Sequence, residues 1–470
     1  MGNPADCIPD DIEPEVRLGI SAWVREHLSA EVTGITRLER WRPQWKVSYS
    51  NDETTAAVLF RGNRPIAPPS ELRFEMQVMQ ALEASGIKVP HIYGWVESPI
   101  AFVMDWIDTE DRAPGMLHTA IDNPTTMSDD RWQAMLNYMD ELARVHRVPL
   151  DQFEHIRRLA RPPEGPSQIA LHATELMYRM GAQMGKIDPL FEFLQHWLRR
   201  NVPRHRDTAR FIAGDAGQFM SAGSEVLALL DFEIANIGDT HWDLACFRGR
   251  HPYENMGDIL ALYRRYEEVT GEPVDLPVVC FHTVNFLQLS GIAARFFMEP
   301  SIQGANWIEG VLEYGSITRR AYEAVAELKG YELDYDLHLP APVPSPWEES
   351  GLEKLLVDIQ RLPTSRVFEE WERDLLHAIP EFLLNYTRYR SWFEQSSKED
   401  LEAILGEAFA TLAEADSAAM EAIGESDGST DQAWVQALHR RSLRLSMIMA
   451  GTDPDSTNPL FHRLDPILPG

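Results

Sequence analysis

The chain is poor in cysteine and in positive charge. Three cysteines among 470 residues, Cys7, Cys246 and Cys280, stand far apart and form no CxxC pair, so neither a disulfide framework nor a cysteine zinc site is indicated. Lysine and arginine number 43 against 73 aspartates and glutamates, a formal net charge of −30. Such a surface repels phosphate polyanions, which argues against nucleic acid and anionic membranes as partners. The opening stretch, MGNPADCIPDDIEPEV, has no basic region followed by an apolar core, and Asp6 stands where a myristoylation motif wants Ser or Thr. No run is read as approaching the roughly 18 apolar residues that cross a bilayer. The expectation is a soluble, cytoplasmic protein. With 44% of its residues hydrophobic, the chain has material for roughly two or three domains with their own cores.

Apolar periodicity divides the chain. Val16, Ile20, Trp23, Val24 and Leu28 repeat at helical spacing, predicting a helix over 14–28. Residues 32–38, 45–49 and 55–60 read as strands, separated by polar breaks at Arg42-Pro43 and Asn51-Asp52. Leu72, Glu75, Met76, Met79 and Leu82 predict a helix over 71–84, and the stretches 90–92 and 100–106 complete a small sheet. Helical patterns then dominate, over 129–146, 171–180, 189–199, 256–270, 277–297 and 302–328. The proline-rich run 339–347 reads as a stiff linker. After it come helices over 352–360, 367–393, 398–422 and 433–449, with a polar stretch at 424–431 and a tail too rich in Pro, Asp and Asn to be helical. These patterns suggest units at 1–106, 107–335 and 351–450, a linker at 336–350 and an extended tail at 451–470.

The most informative stretch is 211–245, FIAGDAGQFMSAGSEVLALLDFEIANIGDTHWDLA. Two short runs rich in Ile, Val and Leu, 209–213 and 226–230, end at Asp215 and Asp231. The turn chemistry of 221–224 predicts that the two runs pair and bring both carboxylates to one end. Phosphoryl transfer asks for little more: a carboxylate to orient a hydroxyl and accept its proton, and hard oxygen ligands for a magnesium ion. Either Asp alone fits a turn or cap residue equally well.

The sequence Ala213-Gly214-Asp215-Ala216-Gly217-Gln218-Phe219-Met220, followed by Asp231-Phe232-Glu233-Ile234-Ala235, Gly238-Asp239 and Asp243-Leu244-Ala245, resembles the aminoglycoside phosphotransferase and choline kinase-like family. The resemblance is greatest to the phosphotransferase domains associated with acyl-CoA dehydrogenases. It implies an α+β, bilobal, protein-kinase-like fold with a small sheet lobe, a helical lobe and an extra helical region. It also implies ATP and magnesium as cofactors, with Asp215 as base, and Asp231 and Gln218 as metal ligands. Arg61 with Glu75 would form a phosphate clamp, and the backbone of Asp105 and Ile107 an adenine edge in the hinge-like Phe102-Val103-Met104-Asp105-Trp106-Ile107-Asp108. His146, Asp239 and Asp243 read as structural braces.

Three features depart from the family pattern. Ala213 replaces a histidine that braces the catalytic loop, which predicts a looser loop. Two residues are missing after Gly217, so Gln218 stands where the family has a metal-binding Asn. The loop 41–46, WRPQWK, has no glycine where the family brings backbone amides to phosphate; Arg42 or Lys46 would supply charge in their place. The implied substrate is an alcohol, and for the dehydrogenase-associated branch a hydroxyacyl-CoA or similar hydroxylated metabolite. The carboxy-terminal helices would dock a second copy or an acyl-CoA-metabolising enzyme. The departures also leave a second reading, a catalytically degenerate relative that binds a ligand or a partner protein.

Overall fold

The computed structural model describes residues 13–40, 42–51, 55–64, 67–109, 111–112, 127–159, 161–162, 164–298, 306–454 and 458–469. The opening stretch with Cys7, residue Trp41 and the start of the 302–328 pattern lie outside them.

Helix α1 (Pro14–Leu28) covers one face of a five-stranded antiparallel sheet. Its strands, β1 (Glu31–Arg37), β2 (Gln44–Ser50), β3 (Thr55–Gly62), β4 (Ile92–Glu97) and β5 (Ile100–Asp105), lie in the order β1-β2-β3-β5-β4. Strand alternation decides what each face receives. Val58 and Phe60 of β3 and Ala101 and Val103 of β5 pack with Ile20, Trp23 and Val24 of α1. Leu59, Phe102 and Met104 point the other way, toward helix α2 (Pro69–Ala84) and the rest of the molecule. Arg61, two residues beyond Leu59, therefore shares that second face, and Glu75 lies on the buried side of α2 with Leu72, Val78, Met79 and Leu82.

The larger part is mainly helical. In chain order it contains β6 (Asp111–Arg112), α3 (Asp129–Arg147), α4 (Pro166–Gln183), α5 (Pro189–Arg200), β7 (Arg210–Ile212), β8 (Phe219–Ala222), β9 (Glu225–Leu229) and β10 (Asn236–Gly238). There follow α6 (His241–Glu254), α7 (Ile259–Thr270), α8 (Leu276–Met298), α9 (Trp307–Leu312), a π-helical turn at Glu313–Ile317, and α10 (Thr318–Lys329). The final helices are α11 (Pro346–Gln360), α12 (Val367–Leu405), α13 (Leu412–Glu425) and α14 (Asp431–Ala450). The whole is a mixed α+β, kinase-like architecture, with the sheet first and the helices after it.

The expected pairing of 209–213 with 226–230 does not form. Ala222 pairs with Glu225 across Gly223-Ser224, and Gly223 has φ +53°. A two-residue connection forces the residues on either side of it to pair. Residues 219–222 thus become β8 and take the partner, while β7 pairs with β10. The sequence reading treated FMSA as part of the connection, since it is too short to show a period.

Two helical boundaries also differ. The break expected between 393 and 398 is absent, and α12 runs through Glu394-Gln395-Ser396-Ser397. Bonds from Gln395 to Glu399 and from Lys398 to Glu402 continue its i,i+4 pattern, and Ser397 faces inward. The single helix expected over 302–328 is instead α9, the π turn and α10. The turn lies where Gly315 meets the Leu445 side chain of α14 at close range. The structure also contains α6, which the patterns did not predict as a helix because nearly all of it is buried and it shows no polar face.

Helix α8 supplies the centre of the helical part. Its segment Leu276–Phe296 is long and apolar enough to cross a membrane, which corrects the sequence reading, and 78% of its most apolar window is buried inside the fold. His282, Thr283, Asn285 and Gln288 are enclosed with it and find partners there, such as Asn285 with Thr174 at 2.5 Å and Gln288 with Gln195 at 2.8 Å. The core continues from α5 and α10 into α13, α14 and the tail, where Ala415, Ala419, Ile423, Trp434, Leu438, Leu464 and Ile467 are buried. Helix α11 buries no residue, and Trp347 at its start is 92% exposed.

Candidate active site

The loop after β7 is shaped by two glycines. Gly214 (φ +84°) and Gly217 (φ +106°) occupy the left-handed region, and a Cβ on Gly214 would stand 2.3 Å from the Ile234 carbonyl oxygen. Only glycine fits there. Asp243, at the start of α6, accepts the backbone N–H groups of Ala213 (2.7 Å) and Gly214 (2.9 Å) and is bonded to His146 Nε2 at 3.0 Å. Trp242 Nε1 donates to the Gly214 carbonyl at 2.8 Å, and the Tyr138 hydroxyl accepts Gly217 N–H at 2.9 Å. The loop is therefore held from four directions, and the looseness expected from Ala213 is not found. His146 and Asp243 are braces, as the sequence suggested. Asp239 is another, bonded to Arg206, His241 and His282; burial alone would raise its pKa, but these donors outweigh it and hold the carboxyl well below the usual range.

The structure brings Asp215 and Asp231 together. One amide nitrogen, Gln218 Nε2, donates to Asp215 Oδ2 at 2.7 Å and to Asp231 Oδ2 at 3.0 Å. Asp231 has φ +65°, rare for a residue with a side chain. This conformation accompanies the sharp turn that takes the chain out of β9. Gln218 presents nitrogen to the carboxylates in this state, so acting as a metal ligand through its oxygen requires a half-turn of the amide. Among the described residues no group of three or more His, Cys, Asp or Glu is arranged to hold a metal ion.

Arg61 and Glu75 meet as expected. Arg61 Nε lies 2.9 Å and Nη2 2.8 Å from the two Glu75 oxygens, and Nη2 also donates to Asp231 Oδ1 at 2.9 Å. Burial opposes the Arg61 charge, but Glu75 and Asp231 outweigh it and raise its pKa. The fork geometry lets one guanidinium serve both carboxylates. Beside this pair is a cavity of about 40 Å³ bounded by Leu59, Met79 and Met104 on its apolar side and by Arg61, Glu75 and Asp231 on its polar side.

At the hinge, Asp105 is more occupied than the resemblance implied. Its N–H donates to the His91 carbonyl at 3.0 Å, and its carboxylate accepts His91 N–H (3.1 Å) and the Tyr93 hydroxyl (2.9 Å). The Ile107 carbonyl accepts Thr109 N–H at 3.1 Å. Both residues are half-buried at the cleft edge.

Several participants escaped the sequence reading. Arg250 of α6 donates through Nε to Asp215 Oδ1 at 3.1 Å, and Nη2 also bonds that oxygen, while Nη1 holds Glu254 at 2.6 Å. Burial raises the pKa of Asp215, and Arg250 opposes that rise without cancelling it. An arginine in the otherwise buried run Cys246-Phe247-Arg248-Gly249-Arg250 was a signal that an acidic partner lay nearby. Arg64, just beyond β3, donates to Glu233 Oε1 at 2.6 Å, and Arg42, from the glycine-free loop, pairs with Glu233 Oε2. Lys46 turns instead toward the hinge, 4.4 Å from the Trp106 ring centroid and 3.9 Å from Asp108. Glu309 and Glu313, spaced four residues apart, stand near Arg64 and near Asp215 and Arg250 respectively; burial pushes the Glu309 carboxyl up to about 7 and Glu313 well above its ordinary value.

A bent Gly-Asp loop, a second Asp after a hairpin and an arginine held by a helix glutamate, all at one lobe boundary, agree with what comparison finds: residues 39–272 match the phosphotransferase enzyme family, APH. This stretch belongs to that family. The phosphotransferase region contains every site residue from Arg42 to Arg250; Glu309 and Glu313 lie beyond it. Among solved structures the chain is similar to a macrolide 2'-phosphotransferase type I, at 18% identity and TM-score 0.43, covering 61% of this chain and 92% of that one. It is similar also to APH(2")-IIa in a ternary complex with streptomycin and ATP, at 12% identity and TM-score 0.43, covering 64% and 94%. A third is an ethanolamine kinase of Plasmodium vivax, at 11% identity and TM-score 0.42, covering 61% and 83%. No curated protein matches the chain.

Proposed function

We propose that the chain is an ATP- and magnesium-dependent phosphotransferase acting on a hydroxyl of a small molecule. The observation that carries this reading is the convergence of Asp215 and Asp231 on one amide nitrogen, with the Arg61–Glu75 pair bonded to Asp231. Two carboxylate oxygens within reach of a single small donor form a hard-oxygen set of the kind magnesium takes alongside water and phosphate oxygens. Asp231 and Asp215 would hold the ion, joined by Gln218 Oε1 once the amide turns. When bound, the ion neutralises phosphate charge.

The residues of the chain do the rest. Asp215 orients the acceptor hydroxyl and takes its proton as the oxygen bonds to phosphorus. Arg61, fixed by Glu75, meets phosphate oxygens with its remaining donors. Arg250 keeps Asp215 aimed and opposes its protonation. The Asp243 brace fixes the distance from the base to the metal ligands, which is where positioning contributes most.

Glu309 and Glu313 support a view of the acceptor. Carboxyls that burial has made reluctant to ionise accept a neutral or cationic group beside them and disfavour an anion. A hydroxyl on an uncharged chain, as in a hydroxyacyl-CoA, or one beside an amine satisfies this; a free hydroxy acid does not. The test is transfer of the γ-phosphate to a panel of neutral, cationic and anionic alcohols, followed by ³¹P resonance. Product from the wild type and none from Asp215→Asn is expected, and equal turnover by both proteins would remove Asp215 from its role.

A further inference from the structure

The glycine-free loop raises the question of what holds phosphate in place of backbone amides. Arg42 comes from that loop, Arg61 from β3 and Arg64 from the residues just after it, all in the sheet lobe. Their carboxylate partners Asp231 and Glu233 come from the other side of the cleft, 167 or more residues later in the chain. Arg42 and Arg61 are about nine-tenths covered, and Arg64 four-fifths. With Glu75, three cations are balanced by three anions in a partly dry space.

The loop is shaped to hold this arrangement. Arg37 donates to the carbonyls of Leu38 (2.9 Å) and Arg40 (2.9 Å) and, at longer range, to those of Arg42 and Gln44. Gly62 N–H donates to the Pro43 carbonyl at 2.7 Å, and a Cβ on Gly62 would collide with Pro43. The loop is thereby pressed onto the end of β3, and the Arg42 side chain is directed inward. The cavity remaining in the cleft is about 40 Å³, whereas small-molecule sites run to roughly 300 Å³ or more. A nucleotide enters only if the pairs across the cleft are exchanged.

Resting on the phosphotransferase reading, we propose that Glu233 is an internal stand-in for phosphate: its carboxylate bridges Arg42 and Arg64 and latches the cleft shut until a polyphosphate displaces it onto the same two guanidinium groups. Of the three carboxylates, Glu75 is enclosed with Arg61 and Asp231 is needed for the metal. Glu233 alone has both of its printed partners on the opposite lobe and no part in the transfer. Carboxylate and phosphate make the same planar, charge-assisted contacts to a guanidinium fork. Arg42 and Arg64 are positioning residues that take the place of the missing glycines.

The test uses the full chain, inorganic tripolyphosphate without magnesium as the probe, and titration calorimetry. Glu233→Gln keeps shape and removes charge, and is expected to bind the probe about tenfold tighter than the wild type. The double variant Arg42→Ala with Arg64→Ala should bind it about tenfold more weakly, each step being that of one charge-assisted contact. If Glu233→Gln does not fold, Glu233→Asp, a methylene too short to span both arginines, carries the same expectation. Unchanged or weaker binding by the Glu233 variant overturns the latch, as does unchanged binding by the double variant. Phosphate transfer to alcohols is measured separately: the expected order of affinities without any transfer would retain the latch and reject the enzyme, and transfer without that order would do the reverse.

Discussion

Arg250 Nε stands 3.1 Å from Asp215 Oδ1, and the same guanidinium bonds that oxygen a second time through Nη2. This contact sets the electrostatic state of the group assigned as base. Burial raises the Asp215 pKa and Arg250 lowers it, so the carboxylate required for proton acceptance depends on a residue 35 positions along the chain.

Replacing Arg250 by Met removes the opposing charge, and the Asp215 pKa rises further. The acid limb of the kcat/KM profile should then move to higher pH, by about one pH unit for about 1.4 kcal/mol of lost interaction. An acid limb at the wild-type position in Arg250→Met would show that the pair does not control the ionisation.

Glu309 offers a second pH dependence of opposite location. With its carboxyl pushed up to about 7, it gains negative charge as pH rises through neutrality. The KM for a cationic alcohol should fall across that interval while the KM for a neutral alcohol stays level, and Glu309→Gln should flatten the difference. Steady-state kinetics on paired acceptors from pH 6 to 8 check this.

Asp243 ties Ala213, Gly214 and His146 at one buried point. Asp243→Asn places an amide NH₂ against groups that themselves donate, leaving at least one buried donor unmet. The expected loss is about 2 kcal/mol of stability, read by denaturant unfolding, together with a fall in kcat larger than any change in KM.

The tail is held by acids of α10. Glu323 accepts Leu464 N–H at 2.8 Å, and Glu327 accepts Ile467 N–H and Leu468 N–H at 2.7 and 2.8 Å. Burial opposes ionisation of Glu323, but Arg319 and His439 outweigh it and hold the carboxyl at about 2. A depressed carboxyl contributes stability that is present above its unfolded pKa of 4.5 and lost as pH falls through the folded value. Unfolding free energy should therefore drop by about 3 kcal/mol between pH 4.5 and 2 through this group, and Glu323→Gln should lack that portion. Deleting residues 458–470, which bury Leu460, Phe461, Leu464 and Ile467, should cost on the order of 5 kcal/mol.

The sequence revealed much of the sheet lobe because its elements are amphipathic and separated by clear turn residues. The helix at 14–28, the strands near 32–38, 45–49 and 55–60, and the Arg61–Glu75 pair all follow from alternation on β3 and helical spacing on α2. Asp215 and Asp231 were legible as strand-end carboxylates. Their route to one another was not, because Phe219–Ala222 is a four-residue strand defined by the turn at Gly223-Ser224 and not by its own pattern.

Arg250, Arg64 and the two roles of Glu233 were hidden for a different reason. Each makes its bond across a long sequence interval, 35 residues for Arg250 to Asp215 and 169 for Arg64 to Glu233, and spacing along a chain carries no record of such contacts. Helix α6 lacked a polar face because it is buried on nearly all sides, so its amphipathic signal vanished. The compensation for Ala213 is likewise spatial: Asp243, Trp242 and Tyr138 hold the loop in place of a histidine.

Magnesium-ATP titrated into the wild type, Asp215→Asn and Asp231→Asn, with thermal unfolding as the readout, tests the central assignment most directly. The wild type and Asp215→Asn should both be stabilised, by about 2.7 kcal/mol at 100 times Kd, and Asp231→Asn should lose the magnesium-dependent part. An unshifted wild type at millimolar magnesium-ATP, or an Asp231→Asn variant stabilised as fully as the wild type, would contradict the assignment.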